Sequence, residues 1–254
     1  MSDSRQAAFA DHFSSASCDY ARYRPGYPDA LFDWLVERAP ARRRAWDCAT
    51  GSGQAALPLA ARFAHVVASD ASREQVAAAA PHAGVSYLCA RAESSALADG
   101  SVDVVTVAQA LHWFATDAFF DEARRVLVPG GLLAAWSYGL LRVDAEVDAV
   151  VDTLYRDVLG AYWPPERAHV DRGYRDLPFP LDEVAAPALH LEVTWTLADL
   201  AGYLGTWSAT QRYRRATGAD PVDTVRAELT SRWGDPSRAR VVRWPLVVRA
   251  GVAR

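Results

Sequence analysis

Short apolar runs alternate with amphipathic stretches along the first 140 positions, in the rhythm strand, helix, strand. The runs predict strands at Ala45 to Ala49, His65 to Ser69, Val85 to Cys89, Val104 to Ala108 and Leu132 to Tyr138. Between them lie helical patterns. Asp29 is placed to cap Ala30 to Arg38, where Leu31, Trp34 and Leu35 share a face. A second helix is predicted over Gln54 to Phe63, and Ser72 is placed to cap a third over Arg73 to Ala80. A fourth begins at Thr116 or Asp117 and stops at Val128-Pro129-Gly130-Gly131, with acids early and arginines late, as the helix dipole favours. The β-branched run Val104 to Ala108 suits a central parallel strand. This alternation predicts the α/β class, a parallel sheet covered by helices on both faces.

After Tyr138 the rhythm changes. Asp144 to Leu159 reads as an amphipathic helix, and residues 160–187 as an irregular stretch containing five prolines. A stretch of that length inside a compact domain is expected to be a lid or binding insertion. A strand at Leu189 to Thr196, helices at Leu197 to Tyr203 and Pro221 to Arg232, and a closing strand at Ala239 to Val248 complete the pattern.

Composition narrows the function. Hydrophobic residues make up 51% of 254 positions, ample for a buried core. A net charge of −4 leaves no basic footprint for nucleic acid, and Arg42-Arg43-Arg44 falls in a predicted loop. Every one of the 27 basic residues is arginine, so a lysine base or Schiff base is excluded. Cys18, Cys48 and Cys89 and the six scattered histidines form neither a disulfide framework nor a metal-ligand spacing. No signal pattern and no apolar run of membrane-spanning length are present, so a cytoplasmic protein without a membrane partner is expected.

Candidate chemistry concentrates between Ala45 and Ser72. Asp47 is placed at the end of the first strand and Asp70 at the end of the second, both at the crevice where open α/β sheets bind ligands. Gly51 and Gly53, without Cβ atoms, allow the backbone between them to approach a ligand. An acid in the position of Asp70 is suited to a pair of ribose hydroxyls. Gly51-Ser52-Gly53-Gln54-Ala55-Ala56 fits the dinucleotide pattern G-x-G-x-x-G/A, which alone is weak. Asp47 favours a different ligand, because a carboxylate repels a pyrophosphate and attracts an ammonium. A bare glycine-rich turn and a merely capping Asp47 are the plain alternatives.

Four blocks resemble the class I S-adenosylmethionine-dependent methyltransferases: Asp47-Cys48-Ala49-Thr50-Gly51-Ser52-Gly53-Gln54, Ala68-Ser69-Asp70-Ala71-Ser72, Asp99-Gly100-Ser101-Val102-Asp103-Val104-Val105 and Arg125-Val126-Leu127-Val128-Pro129-Gly130-Gly131. Tyr23-Arg24-Pro25-Gly26-Tyr27-Pro28, Ala108-Gln109-Ala110-Leu111-His112-Trp113-Phe114 and Trp207-Ser208-Ala209 are similar to blocks of the small-molecule subgroup that includes trans-aconitate and cantharidin methyltransferases. The resemblance implies one Rossmann-like domain over 1–254, with a seven-stranded, mostly parallel sheet and an antiparallel last strand. Its expected parts are an N-terminal lid segment 1–28, a cofactor core 29–139, a lid insertion 140–187 and a completing segment 188–254.

By that resemblance the cofactor is S-adenosylmethionine, leaving as S-adenosylhomocysteine. It would be held by Arg24, Asp47, Ala49, Thr50, Gly51, Gly53, Gln54, Asp70, Ala71, Ala92, Glu93 and Gln109. Ala49 replaces the family's first glycine, which is tolerable at negative φ, and Glu93 takes the adenine role that Arg91 cannot. The acceptor is expected to be a small molecule, methylated at a carboxylate or other oxygen, nitrogen or carbon. His112 is the candidate general base. The acceptor pocket is expected to be walled by Tyr20, Tyr23, His112, Trp113, Tyr138, Tyr162, Trp163 and Trp207. A nicotinamide-dependent oxidoreductase and a non-catalytic S-adenosylmethionine-binding scaffold stay open as alternatives.

Overall fold

The structure, a computed structural model, describes residues Tyr23 to Ala253. Tyr20 and Cys18, with most of the expected N-terminal lid segment, lie outside the described residues. The chain forms two compact units. Among the described residues, one comprises Gly26–Gly139, Ala168–His190 and 246–253; the other comprises 23–25, Leu140–Arg167 and Leu191–Pro245.

The first unit holds the expected sheet. Strands β1 (Arg44–Cys48), β2 (His65–Asp70), β3 (Val85–Cys89), β4 (Val102–Ala108) and β5 (Leu127–Tyr138) run parallel in the order β3-β2-β1-β4-β5. A short β6 (Asp182–Val184) and the end of β8 (Arg240–Val252) close that edge, antiparallel to one another, with β8 antiparallel to β5. The seven strands on this hydrogen-bonded path therefore include β6, inside the stretch expected to be irregular. The expected strand near Leu189 is β7 (Leu189–Trp195), which pairs with β8 off that path.

β1 and β4 are buried along nearly their whole length, as central strands covered on both faces must be. Two polar locks set their register. The Trp46 indole Nε1 donates to Ser69 Oγ at 2.8 Å, joining β1 to β2. Asp103, 1% exposed, accepts the backbone N–H groups of Arg43 and Arg44 and the Arg43 guanidinium, joining β4 to the start of β1. The Pro129-Gly130-Gly131 turn does not precede β5 as expected. It forms a bulge within that strand, where the pairing to β4 shifts register. Gly130 takes φ +76° there, and its N–H donates to the Ala253 carbonyl at 3.0 Å.

The helices of this unit are α1 (Asp29–Arg38), α2 (Ala56–Ala60), α3 (Arg73–Ala78), α4 (Asp117–Val126) and α6 (Arg167–Asp171), the last beginning at the unit boundary. Ser72 caps α3 as predicted, and Thr116, one of the two expected starts, caps α4. Asp29 is not a cap: Pro28 holds that position, and Asp29 pairs instead with Arg62. The helix expected over Gln54 to Phe63 is shortened to α2 by a string of turns over residues 51–55.

The second unit contains α5 (Ala145–Thr153), which runs on into a π-helical segment at Leu154–Val158, with α7 (Leu197–Gly205), α8 (Ser208–Thr217) and α9 (Pro221–Trp233). Asp144 caps α5, and Thr196 and Asp199 form a capping box on α7. No periodicity announced α8: it buries only Ala209 and Thr210 on an otherwise polar surface. An aromatic cluster organises this unit, with Trp207 edge-on to Tyr155 and Tyr203 and Trp244 donating to the Tyr203 hydroxyl at 3.1 Å. Among the described residues, no helix is long and apolar enough to cross a membrane.

Candidate cofactor site

The site is built where β1 ends. Asp47 has no exposed surface, and both of its oxygens are held by hydroxyls. Thr50 Oγ1 donates to Oδ2 at 2.5 Å and Thr106 Oγ1 donates to Oδ1 at 2.8 Å. Burial pushes its pKa up to about 6 against those two hydrogen bonds, and the neighbouring Asp70 charge adds a smaller push the same way. Asp47 thus braces the loop from beneath, and its charge is felt through the loop rather than by direct contact with water.

The loop itself alternates in hand. Ala49, Gly51 and Gly53 take φ values of +55°, +56° and +88°. Ala49 therefore does not sit at the negative φ that would make its methyl group harmless. It occupies the left-handed region, where a Cβ crowds the neighbouring carbonyl by about 1–2 kcal/mol. The Thr50 N–H donates to the Ser69 carbonyl at 2.9 Å, and the Gly53 N–H to the Thr50 carbonyl at 3.0 Å, which hold the turn closed.

The two glycines differ. A Cβ on Gly51 would meet nothing nearer than Gln75 Oε1 at 3.9 Å, so the backbone there is open to a ligand. A Cβ on Gly53 would fall 2.6 Å from the Tyr87 hydroxyl. The room expected for a ligand at Gly53 is occupied by Tyr87, which the sequence pattern did not single out. Its hydroxyl donates to the Ala80 carbonyl at 3.1 Å. Gln54 lies in the turns that follow.

Asp70 ends β2 and is half-buried. Its Oδ2 accepts the Gly51 N–H and its Oδ1 accepts the Ser72 N–H, each at 2.9 Å. Burial raises its pKa, with the N–H groups of Ser72 and Gly51 opposing. Ala71 is exposed beside it, and Ala92 and Glu93 occupy the turn after β3. Arg91 Nε donates to Glu93 Oε2 at 3.4 Å, so the residue unable to accept from an adenine engages the one that can. That turn is anchored by Glu122, which accepts both the N–H and the hydroxyl of Ser95 while the Arg125 guanidinium holds its carboxyl down at about 2.

At the end of β4, Gln109 is a second non-glycine residue in the left-handed region, at φ +59°. Its N–H donates to the Trp136 carbonyl at 2.9 Å, while its buried side-chain Nε2 has no hydrogen-bond partner among the described residues. A buried amide without a partner is costly, and such a group beside a crevice fits a site completed by a ligand. His112 follows in a 3-10 turn, Leu111–Trp113, with Nδ1 3.0 Å from the Tyr174 hydroxyl. Trp113 is 37% exposed and packs on the His112 ring. Tyr138, at the end of β5, is 5% exposed and belongs to the core.

The methyltransferase domain model matches residues 46–135, the segment carrying these features. A methyltransferase-named protein of Dictyostelium discoideum is 34% identical over 225 residues, covering 87% of this chain and 86% of its own. A solved structure from Anaeromyxobacter dehalogenans, named for a type II methyltransferase, is 52% identical. It superposes with a TM-score of 0.86, covering 91% of this chain and 98% of its own. An uncharacterized methyltransferase of Mycobacterium tuberculosis is 41% identical over 124 residues, about half of either chain. The chain belongs to the class I S-adenosylmethionine-dependent methyltransferases. It is an enzyme of methyl transfer, and its Rossmann-like sheet is that of the family.

Within this methyltransferase, the remaining sequence-derived candidates fall in the second unit. The Arg24 guanidinium lies 5.3 Å from the centroid of the Tyr203 ring, and Tyr23 packs where Gly202 has no Cβ. Trp163 and Trp207 belong to the aromatic cluster with Tyr155, while Tyr162 packs at a tilt against Tyr213. The structure thus gathers Asp47, Ala49, Thr50, Gly51, Gly53 and Asp70 around one loop, and places Tyr23, Arg24, Tyr162, Trp163 and Trp207 in the other unit. Thr106 and Tyr174 were missed. A lone hydroxyl in the apolar run Val104 to Ala108 was the available signal for Thr106; for Tyr174 none existed.

Two variants test this geometry. Ala49→Gly relieves the left-handed strain and is expected to raise the melting temperature by the equivalent of about 1 kcal/mol, with no gain speaking against the strain. The folded protein holds the Asp47 proton up to about pH 6, whereas an unfolded aspartate releases it near 4. The penalty of charging Asp47 is therefore absent below about pH 4, grows as pH rises from about 4 to about 6, and levels off at about 3 kcal/mol above that. Asp47→Asn is expected to melt above the wild type at pH 8 and level with it at pH 4. Equal melting temperatures at pH 8 would contradict the buried-charge account.

Proposed function

We propose that the enzyme binds S-adenosylmethionine at the carboxyl ends of β1 and β2 and methylates a small-molecule acceptor. The observation that carries this reading is the pair of acids on either side of an open Gly51: buried Asp47 beneath the loop and Asp70 at its side. Two negative charges on a glycine loop suit a cationic amino-acid ligand and oppose a pyrophosphate. Asp70 would exchange part of its backbone bonding for ribose hydroxyls, Gly51 would leave room for the ligand, and Gln109 Nε2 would find the partner it lacks. Ala92 and Glu93 would border the adenine.

The acceptor atom forms its bond to the methyl carbon as the carbon–sulfur bond breaks, the electron pair remaining on sulfur in S-adenosylhomocysteine. The protein's own contribution to such a displacement is alignment and exclusion of water. The subgroup resemblance points to a carboxylate or other oxygen as the acceptor. His112, near the end of β4, is the side chain suited to take a proton from such an acceptor or to donate a hydrogen bond to it. The nicotinamide alternative finds no support beside the family assignment, and the same assignment speaks against a non-catalytic scaffold.

Calorimetric titration with S-adenosylmethionine, S-adenosylhomocysteine and NAD tests the cofactor reading. Binding of the first two and not the third is expected. Asp70→Ala should weaken S-adenosylmethionine binding at least about tenfold, since two hydrogen bonds to a charged acceptor are lost. An unchanged dissociation constant would remove Asp70 from the site.

A further inference from the structure

Glu122, on α4, is a buried carboxylate that the proposed transfer does not use. Its Oε1 accepts the Ser95 N–H at 2.7 Å, the Ser95 hydroxyl at 2.6 Å and Arg125 Nη2 at 2.8 Å, and its Oε2 accepts Arg125 Nε at 2.8 Å. The Arg125 guanidinium, and Ser95 after it, hold the carboxyl down at about 2, so it stays ionised at neutral pH. Hydrogen bonds assisted by charge in this way are short and strong. With both oxygens committed, Glu122 is suited to fixing a neighbour in place and not to moving a proton.

The neighbour it fixes is the turn after β3. Residues 90–101 form no regular helix or strand, so tethers must set their position. At the start, the Ala90 N–H donates to the Asp70 carbonyl at 3.0 Å. The Ser94 N–H donates to the Arg91 carbonyl at 3.1 Å and closes the turn that carries Ala92 and Glu93. Ser95, held by Glu122, follows directly, and its Oγ also accepts the Leu97 N–H at 3.2 Å. Ala96 between them takes φ +60°, a left-handed conformation that a non-glycine residue keeps only where its surroundings fix it. Further on, the N–H groups of Gly100 and Ser101 donate to the carbonyls of Arg125 and Val126 at 2.9 and 2.8 Å. The turn 91–94 is thus held at two points, the backbone of Asp70 and the carboxylate of Glu122.

We propose that Glu122, backed by Arg125 and acting through Ser95, is a positioning residue that sets the turn 91–94 and so makes the site selective for a purine with a 6-amino group. This rests on the reading that Ala92 and Glu93 border the adenine. A 6-amino group is a donor, whereas its 6-oxo counterpart presents an acceptor, and a carboxylate such as Glu93 can only accept. A hydrogen bond weakens steeply with misalignment, so the choice between the two bases depends on where the turn is held. Asp70 is also the proposed ribose acid, so its backbone bond to Ala90 aligns the base end of the site with the sugar end.

Titration calorimetry of the full chain with S-adenosylhomocysteine and with S-inosylhomocysteine, in which oxygen replaces the 6-amino group, tests this. The wild type is expected to prefer the first at least about tenfold. In Ser95→Ala and in Glu122→Gln that preference should fall to about threefold or less, chiefly through weaker binding of S-adenosylhomocysteine. A merely structural loss would weaken both ligands alike and leave the ratio where it was. An unchanged ratio in a folded Ser95→Ala would overturn the proposal. A wild type that binds the two ligands equally would also overturn it, whether or not Glu122→Gln folds. A preference kept in both variants leaves the cofactor reading standing without the Glu122 role, whereas a wild type that binds neither ligand removes both.

Discussion

A carboxylate sealed from water at the end of a central strand is the constraint on which the geometry of the candidate site depends. Asp47 cannot be satisfied by solvent, so two hydroxyls must reach it, one from its own loop and one from β4. Thr50 can reach it only if the chain reverses sharply after Cys48, and that reversal places Ala49, Gly51 and Gly53 at positive φ. The reversed loop aims the Gly51 N–H at Asp70, which ties the loop to β2. Thr106 binds the same carboxylate to the neighbouring strand, so β1 and β4 meet at Asp47 while β2 holds the loop through Asp70. The strain at Ala49 and the raised pKa of Asp47 are what burying this carboxylate beneath a tight loop costs.

Much of this architecture was legible in the chain. Short apolar runs located β1 to β5 and period-3.6 patterning the helices between them, because covered parallel strands are near-uniformly apolar and their helices are not. Asp47, Gly51 and Asp70 were legible as well, since an acid at each strand end and a glycine between them are local signals. What escaped was set by distant contacts. The sign of φ at Ala49 is imposed by Thr50 reaching back to Asp47, and nothing in the neighbouring residue types announces it. Gly53 was read as leaving room for a ligand, but its neighbour is Tyr87, 34 positions further along the chain. Tyr174 falls in a proline-rich stretch with no period, and Arg249 braces it from the last strand. Helix α8 was invisible because its buried face is two small residues.

The two units divide the labour in a way that composition alone obscured. Nine tryptophans promised more aromatic pocket walls than any acceptor needs. Trp46, Trp136 and Trp244 are fully buried structural residues, and Trp163 and Trp207 pack with Tyr155 inside the second unit. The first unit instead places the candidate site residues Asp47 and Asp70 on short polar side chains at strand ends, where the backbone sets their position.

The central claim is that Asp47 is a buried group whose charge is called up by a cationic ligand. Titration calorimetry with S-adenosylmethionine at pH 6, repeated in buffers of different ionisation enthalpy, addresses it directly. A cation bound over the loop must lower the Asp47 pKa from its value of about 6, so binding should release up to about half a proton in the wild type and none in Asp47→Asn. A binding enthalpy independent of the buffer, or the same proton release in both proteins, would contradict the account.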